Sequence, residues 1–218
     1  MSKKFENRLV QKDQLLEAIL PHVGFDGWTD AALEAGVGAL GVNISNVDRL
    51  FPGGIREIVG HFGDWADREM LATLGSMDLG AMKLRERISL AVRVRLSALS
   101  PHRETVRRTF SYLSLPSNFS IGVRSMYKTV DSIWYAAGDK SADFSFYTKR
   151  ALLAGVISAT ILFWINDESE DSADSWAFLD RRIADVMTIP ALRSRLEKIA
   201  CRAPDPFKCY GHYVPAEF

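Results

Sequence analysis

The stretch "GDKSADFSFYTKRALLAGVISATILFW", residues 138–164, runs a polar, aromatic-studded turn straight into the most apolar segment of the chain. Its reading decides the fold, because such a segment can span a bilayer, wall a pocket or fill a core. The uncharged run from Ala151 to Ile165 is only 15 residues long, contains Ser158 and Thr160, and is flanked by Lys149, Arg150 and Asp167. A spanning helix needs about 20 mainly apolar residues. An apolar helix too short to span belongs in the middle of a bundle. Whether its neighbours close around it or leave a cavity does not follow from periodicity.

Outward from that helix, apolar residues recur at helical spacing and period-2 alternation is scarce. "FENRLVQKDQLLEAILPHV" forms a first helix that Pro21 is expected to end. Thr29 is suited to N-cap "DAALEAGVGAL", with Gly41 as the glycine beyond its C-terminus. A short helix follows Ser45, and after Pro52 comes "IREIVGHFGDWADREMLATL". "LRERISLAVRVRLSAL" closes at Pro101, "RETVRRTFSYLSL" at Pro116, and "SIGVRSMYKTVDSIWYAA" at Gly138. Asp143 can cap the apolar helix, Ser172 or Asp174 can cap "SWAFLDRRIADVMT", and a last helix, "ALRSRLEKIACR", is expected after Pro190. Nine to ten helices without a convincing strand make an all-α fold. The tail from Ala203, with three prolines, reads as irregular.

A chain of 218 residues can bury a sizeable core without disulfides or metals. Cys201 and Cys209 form no disulfide framework, which suits a reducing compartment. Net charge is zero but unevenly spread. Lys83 to Arg108 holds eight basic residues against two Glu, and Trp164 to Asp185 holds seven acidic residues against two Arg. The polar, mixed-charge start shows neither a secretory signal nor a transit peptide.

"ALEAGVGALGVNISNVDRLFPGGIREIV" resembles the N-terminal segment of tetracycline-repressor-type regulators. That resemblance implies a helix-turn-helix-like head over residues 1–70, a helical ligand-binding body over 71–188, and an amphipathic helix with an irregular tail over 189–218. A ligand-responsive transcriptional regulator is the alternative functional reading. Its chemistry is poorly supported, since DNA affinity comes mainly from Lys and Arg on phosphates. Residues 23–57 carry five acidic residues and two Arg, and Asp48 stands in the recognition position beside Asn46 and Arg49. Nucleic acid is therefore not the expected partner.

The strings "WYAAGDKSADFSFYTKR", "SWAFLDRRI" and "HVGFDGWTDAAL" resemble the ubiquinone (coenzyme Q) biosynthesis accessory family. The resemblance implies a non-enzymatic, lipid-binding protein of tetracycline-repressor-like fold. Such a protein would bind an isoprenoid quinone intermediate and present it to the di-iron demethoxyubiquinone hydroxylase at a membrane surface. Ile133, Asp143, Phe146, Tyr147, Lys149 and Arg150 match the surface where that hydroxylase is expected to dock. Trp134, Leu153, Ile157, Ile161 and Trp164 are candidate lipid contacts, with core packing as the alternative for each. The family's membrane-contacting helix would correspond to Leu192, Arg193, Arg195, Leu196, Lys198 and Ile199, an apolar stripe bordered by basic residues. A homodimer is expected by analogy with tetracycline-repressor-like bodies. The implied location is a bacterial cytoplasm with contact to the inner membrane, or the matrix side in a mitochondrion.

An enzymatic reading finds little in the sequence. There is no Gly-rich phosphate loop and no G-x-S-x-G. Cys201, Cys209 and His212 follow no standard zinc spacing, and no E-x-x-H marks a di-iron site. No cofactor is implied.

Overall fold

A computed structural model describes the backbone of residues 2–138 and 145–200, and the side chains of residues 7–138 and 148–186. Among them the chain is all helical. The helices are α1 (Ser2–Asp26), α2 (Asp30–Leu40), α3 (Ser45–Leu50), α4 (Gly54–Gly75) and α5 (Leu84–Ala98). They continue with α6 (Arg103–Leu113), α7 (Phe119–Ala137), α8 (Ser145–Trp164) and α9 (Ala173–Ala200). Short 3₁₀ turns at Ser100–His102 and Glu170–Ser172 lead into α6 and α9. No described helix is long and apolar enough to cross a membrane; the apolar segment that opened the question is α8, which buries one side in the core and leaves Leu162 and Phe163 exposed on another.

Local punctuation sits where the sequence puts it. The Thr29 hydroxyl accepts the Ala32 N–H at 3.3 Å, and Gly41 and Gly138 adopt φ of +64° and +84° as they close α2 and α7. Two prolines do not act as expected. Pro21 lies inside α1, which continues to Asp26. Val23 beyond it is fully buried, and the Thr105 hydroxyl donates to the Leu20 carbonyl at 3.1 Å. Packing against α6 thus offsets the hydrogen bond that a proline removes from a helix interior. Pro190 likewise lies within α9, whose backbone runs on to Ala200, so the separate last helix of the sequence reading is the second half of α9.

One contiguous apolar core runs from Leu15 on α1 to Ile183 on α9. Helices α1 and α2 meet most closely at Gly36, where an added Cβ would stand 2.7 Å from Ile19 Cγ1 and 2.8 Å from its Cα. Asp13 fastens α1 to α4 by accepting from Arg68 at 2.5 Å and pairing with His61 Nε2 at 2.8 Å. Burial holds the His61 imidazole below its usual pKa, although the Asp13 carboxylate pulls the other way. Trp28 Nε1 donates to Thr109 at 2.9 Å, which ties the α1–α2 corner to α6.

The α8–α9 corner is organised by Asp167. One carboxylate oxygen accepts from the Ser169 N–H (2.9 Å) and hydroxyl (2.6 Å), and the other from the Ser175 N–H (2.9 Å) and hydroxyl. Asp167 therefore caps α9, and neither Ser172 nor Asp174 does. The Ser172 hydroxyl is occupied by Arg103 at 3.0 Å, whose guanidinium also lies 4.5 Å over the Trp164 ring. Arg93 on α5 reaches across to Asp180 on α9 at 2.5 Å, so the partner of Asp180 comes from another helix rather than from its own "DRR" run.

Two outcomes follow for stability. Gly36→Ala forces α1 away from α2 at a backbone contact and should cost about 1–3 kcal/mol in chemical denaturation. Burial raises the Asp167 pKa, but the hydrogen bonds from Ser169 and Ser175 outweigh it and bring it from 3.8 to about 2. A depressed carboxylate pKa contributes stability above the unfolded value that is lost as pH falls through the folded one. Asp167→Asn should therefore be less stable than the parent at pH 7, with the gap shrinking between about pH 4 and pH 2. A gap that stays constant over that range would count against the Asp167 assignment.

Candidate functional site

Helix α8 has two unlike sides. Leu153, Val156, Ile157, Thr160 and Trp164 are buried in the core, and the Thr160 hydroxyl is satisfied by the Val156 carbonyl at 2.8 Å. Ala151, Ala154, Ser158 and Ile161, spaced three, four and three residues apart, line a cavity instead. The first three have small side chains. The cavity lies among α4, α5, α6, α7 and α8, and its volume is about 760 Å³. That falls in the range of small-molecule sites, about 300–1,000 Å³. Its walls are mainly apolar, from Phe62 on α4 and Val106, Phe110 and Leu113 on α6 to Val130 on α7.

The five candidate lipid contacts of the sequence divide between the cavity wall and the core. Of its five lipid contacts, only Ile161 lines the cavity. Trp134, Leu153, Ile157 and Trp164 are buried in the core and absent from the wall, because their bulk fills space rather than leaving it. The informative signal was the small-residue series Ala151, Ala154 and Ser158. Trp134 keeps one oddity: its buried Nε1 has no acceptor among the described residues, while Lys149 Nζ lies 5.7 Å from its ring.

Two arginines, Arg95 and Arg150, interrupt the apolar wall, and Arg95 belongs to a buried charged cluster. Arg95 on α5 donates from Nε to Asp67 on α4 at 2.7 Å and from Nη2 to the Thr129 hydroxyl on α7 at 3.4 Å. Thr129 in turn donates to the same carboxylate at 2.9 Å. Arg95 and Thr129 both line the cavity. The sequence singled out none of the three, since a charge on an amphipathic helix ordinarily reads as a solvated face.

The expected docking surface is only partly described. Ile133 is wholly buried, at 0 % exposure. Arg150 is bound to Asp131 at 2.6 Å and lines the cavity. The side chains of Phe146 and Tyr147, all of Asp143, and the side chains of Leu192, Arg193, Arg195, Leu196, Lys198 and Ile199 lie outside the described residues. The irregular tail, Cys201, Cys209 and His212 lie outside them too. In the head, Asp48 and Arg49 on α3 are exposed beside the apolar side chains of Leu40, Val42 and Ile44. Among the described residues no group of three or more His, Cys, Asp or Glu is placed to hold a metal ion.

Comparison with known proteins adds a relationship. Residues 119–190, from α7 into α9, match the family model COQ9. The chain is 32% identical over 192 residues to "Ubiquinone biosynthesis protein COQ9, mitochondrial" of Bos taurus, covering 85% of this chain and 60% of that protein. The proteins of the same name in Rattus norvegicus and Homo sapiens are 33% and 32% identical over the same length. The chain thus spans about 60% of the length of these curated relatives. A crystal structure of a TetR transcriptional regulator from Nitrosomonas europaea superposes with a TM-score of 0.67 at 23% identity, over 82% of this chain and 99% of that one. At that identity the likeness is one of fold, and the fold is tetracycline-repressor-like.

The two sides of α8 should respond oppositely to substitution. Ile157→Ala removes packed core and should cost about 2–5 kcal/mol. Ala154→Leu adds volume where there is space, and should leave stability unchanged or raise it by up to about 2 kcal/mol. Denaturant midpoints of the two variants measure both effects. A loss of similar size in both would mean that the space beside Ala154 is closed in solution.

Proposed function

The chain is a homologue of the COQ9 ubiquinone-biosynthesis proteins, and on that premise we propose that it works in ubiquinone biosynthesis as a non-enzymatic, lipid-binding accessory protein. It takes up an isoprenoid quinone intermediate in the α4–α8 cavity and presents it to the di-iron demethoxyubiquinone hydroxylase at a membrane surface. The single observation that carries this reading is a mainly apolar cavity of about 760 Å³ among α4 to α8, open to solvent beside the exposed Phe119, Val123 and Tyr127. A long isoprenoid has little affinity for water, and each methylene buried contributes about 0.8 kcal/mol. A cavity of this size holds the ring and the first part of a tail, and the remainder emerges through the opening.

The reading assigns parts to the rest of the molecule. The docking surface for the hydroxylase takes in Phe146, Tyr147, Lys149 and Arg150 at the start of α8, with Ile133 and Asp143 from the sequence before it, since aromatic and Arg side chains are the usual anchors of interfaces. The exposed Tyr135 lies on the adjoining turn of α7. The second half of α9 meets the membrane with Leu192, Leu196 and Ile199, and its Arg193, Arg195 and Lys198 suit an anionic lipid surface. Two copies pair through their bodies. The head, residues 1–70, serves as a scaffold: Asp48 on α3 would repel phosphates at the place where DNA binding needs cations.

Mass spectrometry of an organic extract from the purified protein, beside a mock purification, tests the reading. The expected result is an isoprenoid quinone, or a biosynthetic precursor of one, enriched at near-stoichiometric amount. An extract with only background phospholipid, together with failure of added short-tailed quinone to bind, would overturn it.

A further inference from the structure

The charged cluster in the cavity wall has features that a purely structural ion pair does not need. Arg95 and Asp67 are both buried, at 8 % and 6 % exposure, and Thr129 at 2 % bonds to each. A well-packed apolar trio would hold three helices together at least as stably as a buried ion pair, because desolvation offsets most of the attraction. The cluster also faces the cavity rather than lying wholly within the core, since Arg95 and Thr129 belong to the wall. Its donors are not exhausted. Arg95 uses Nε and Nη2 within the cluster, and Nη1 has no acceptor among the described residues.

Charge decides what such a site can take. The guanidinium is already neutralised by Asp67, whose carboxylate accepts at 2.7 Å from Arg95 and at 2.9 Å from Thr129. Arg150, the other guanidinium of the lining, is likewise paired, with Asp131 at 2.6 Å, so a phosphate entering the cavity would meet cations already neutralised and, beside Arg95, the Asp67 carboxylate just behind the wall. A neutral acceptor meets no such repulsion. It gains a hydrogen bond from a charged donor, which is stronger than one between neutral groups.

We propose that Arg95, held in place by Asp67 and Thr129, is the head-group subsite of the cavity, and that it selects a neutral ring bearing carbonyl or ether oxygens at the end of an apolar chain. This rests on the lipid-binding reading given above. Arg95 Nη1 donates to a ring oxygen, Asp67 fixes the plane of the guanidinium, and Phe62, Val106, Phe110 and Val130 take the apolar chain.

Isothermal titration of the full chain with three probes of equal tail tests the assignment: a geranyl-substituted benzoquinone, the corresponding ring-less hydrocarbon, and geranyl diphosphate. The parent protein should prefer the quinone to both others by roughly tenfold or more, as expected for one hydrogen bond to a charged group. Arg95→Met combined with Asp67→Leu removes both charges together and so leaves no unpaired ion in the wall. In that variant the ratio of quinone to hydrocarbon affinity should fall to within about twofold of one, the level at which a hydrogen bond to a charged group no longer contributes. Thr129→Val keeps the ion pair and is titrated in parallel, with the ratio expected between the two, so that the test survives if the double variant does not fold. A ratio retained in the folded double variant, or unchanged in Thr129→Val where the double variant does not fold, would remove the subsite and leave the lipid-binding reading standing. Preference of the parent for geranyl diphosphate would also remove it. A parent that binds none of the three overturns both.

Discussion

The distribution of side-chain volume around α8 is the constraint on which the rest of the body depends. Protein interiors are close-packed, and a void persists only where the surrounding elements are prevented from closing on it. On its bulky side α8 is seated by Leu153, Ile157 and Trp164. On its small side, α6 would have to move inward to fill the space left by Ala154 and Ser158. It is held from both directions. Thr105 bonds to the Leu20 carbonyl at 3.1 Å and Thr109 accepts from Trp28 at 2.9 Å on the α1 side. At the α8–α9 corner Arg107 donates to the Ile165 carbonyl and to Asn166, each at 2.9 Å, and Arg103 donates to the Asp167 carbonyl at 2.5 Å. The cavity is thus a product of a braced frame as much as of small residues.

What could be read in the sequence divides by how local the physics is. Caps and helix ends at Thr29, Gly41 and Gly138 depend on a few neighbouring backbone angles, and they sit where the sequence puts them. Pro21 and Pro190 obey the same local rules only statistically, and at Pro21 the packing of Val23 and the bond from Thr105 overrule them. The apolar character of α8 was legible; its two faces were not. Large apolar residues attract attention as ligand contacts, yet in a packed body they are what fills space. Ala151, Ala154 and Ser158 look like ordinary helix formers, and only the placement of α4 to α7 turns them into a wall. The burial of Ile133 was hidden for a related reason, since residues on one helix match a family motif whether they point inward or outward. The Arg95–Asp67–Thr129 cluster was beyond reach, because its members are 28 to 62 residues apart and come from three helices.

The head raises a different question: why a helix-turn-helix geometry persists when α3 carries a single cation, Arg49, beside Asp48. Its packing supplies an answer. Val47 and Leu50 on α3 are buried with Phe51 in the common core, and Lys12 spans the Glu57 carboxylate at 2.8 Å and the Phe51 ring at 4.5 Å. Arg8 donates to the Leu50 carbonyl at 3.3 Å. These contacts pin α3 and the start of α4 onto α1, whose far end carries α6. Deleting the head would unseat the helix that braces the cavity, so the geometry is retained by the body's packing whatever α3 presents to solvent.

On the proposed carrier reading, a neutralised arginine also suits release of the bound ligand. An unpaired guanidinium in the wall would hold an oxygen more tightly, but the empty protein would then carry an uncompensated buried charge, which costs several kcal/mol. With Asp67 in place the empty state is tolerated, because Nε and Nη2 are satisfied inside the protein. A ligand then adds one hydrogen bond to an already settled group, and the apolar chain supplies most of the affinity. Apolar affinity is non-directional and is recovered in full when the chain passes into another apolar medium, whether a bilayer or a partner's pocket. The directional part is small enough to break at transfer. On that reading, orientation from the ring and affinity from the chain are separable, which is the division a carrier needs and a storage site does not.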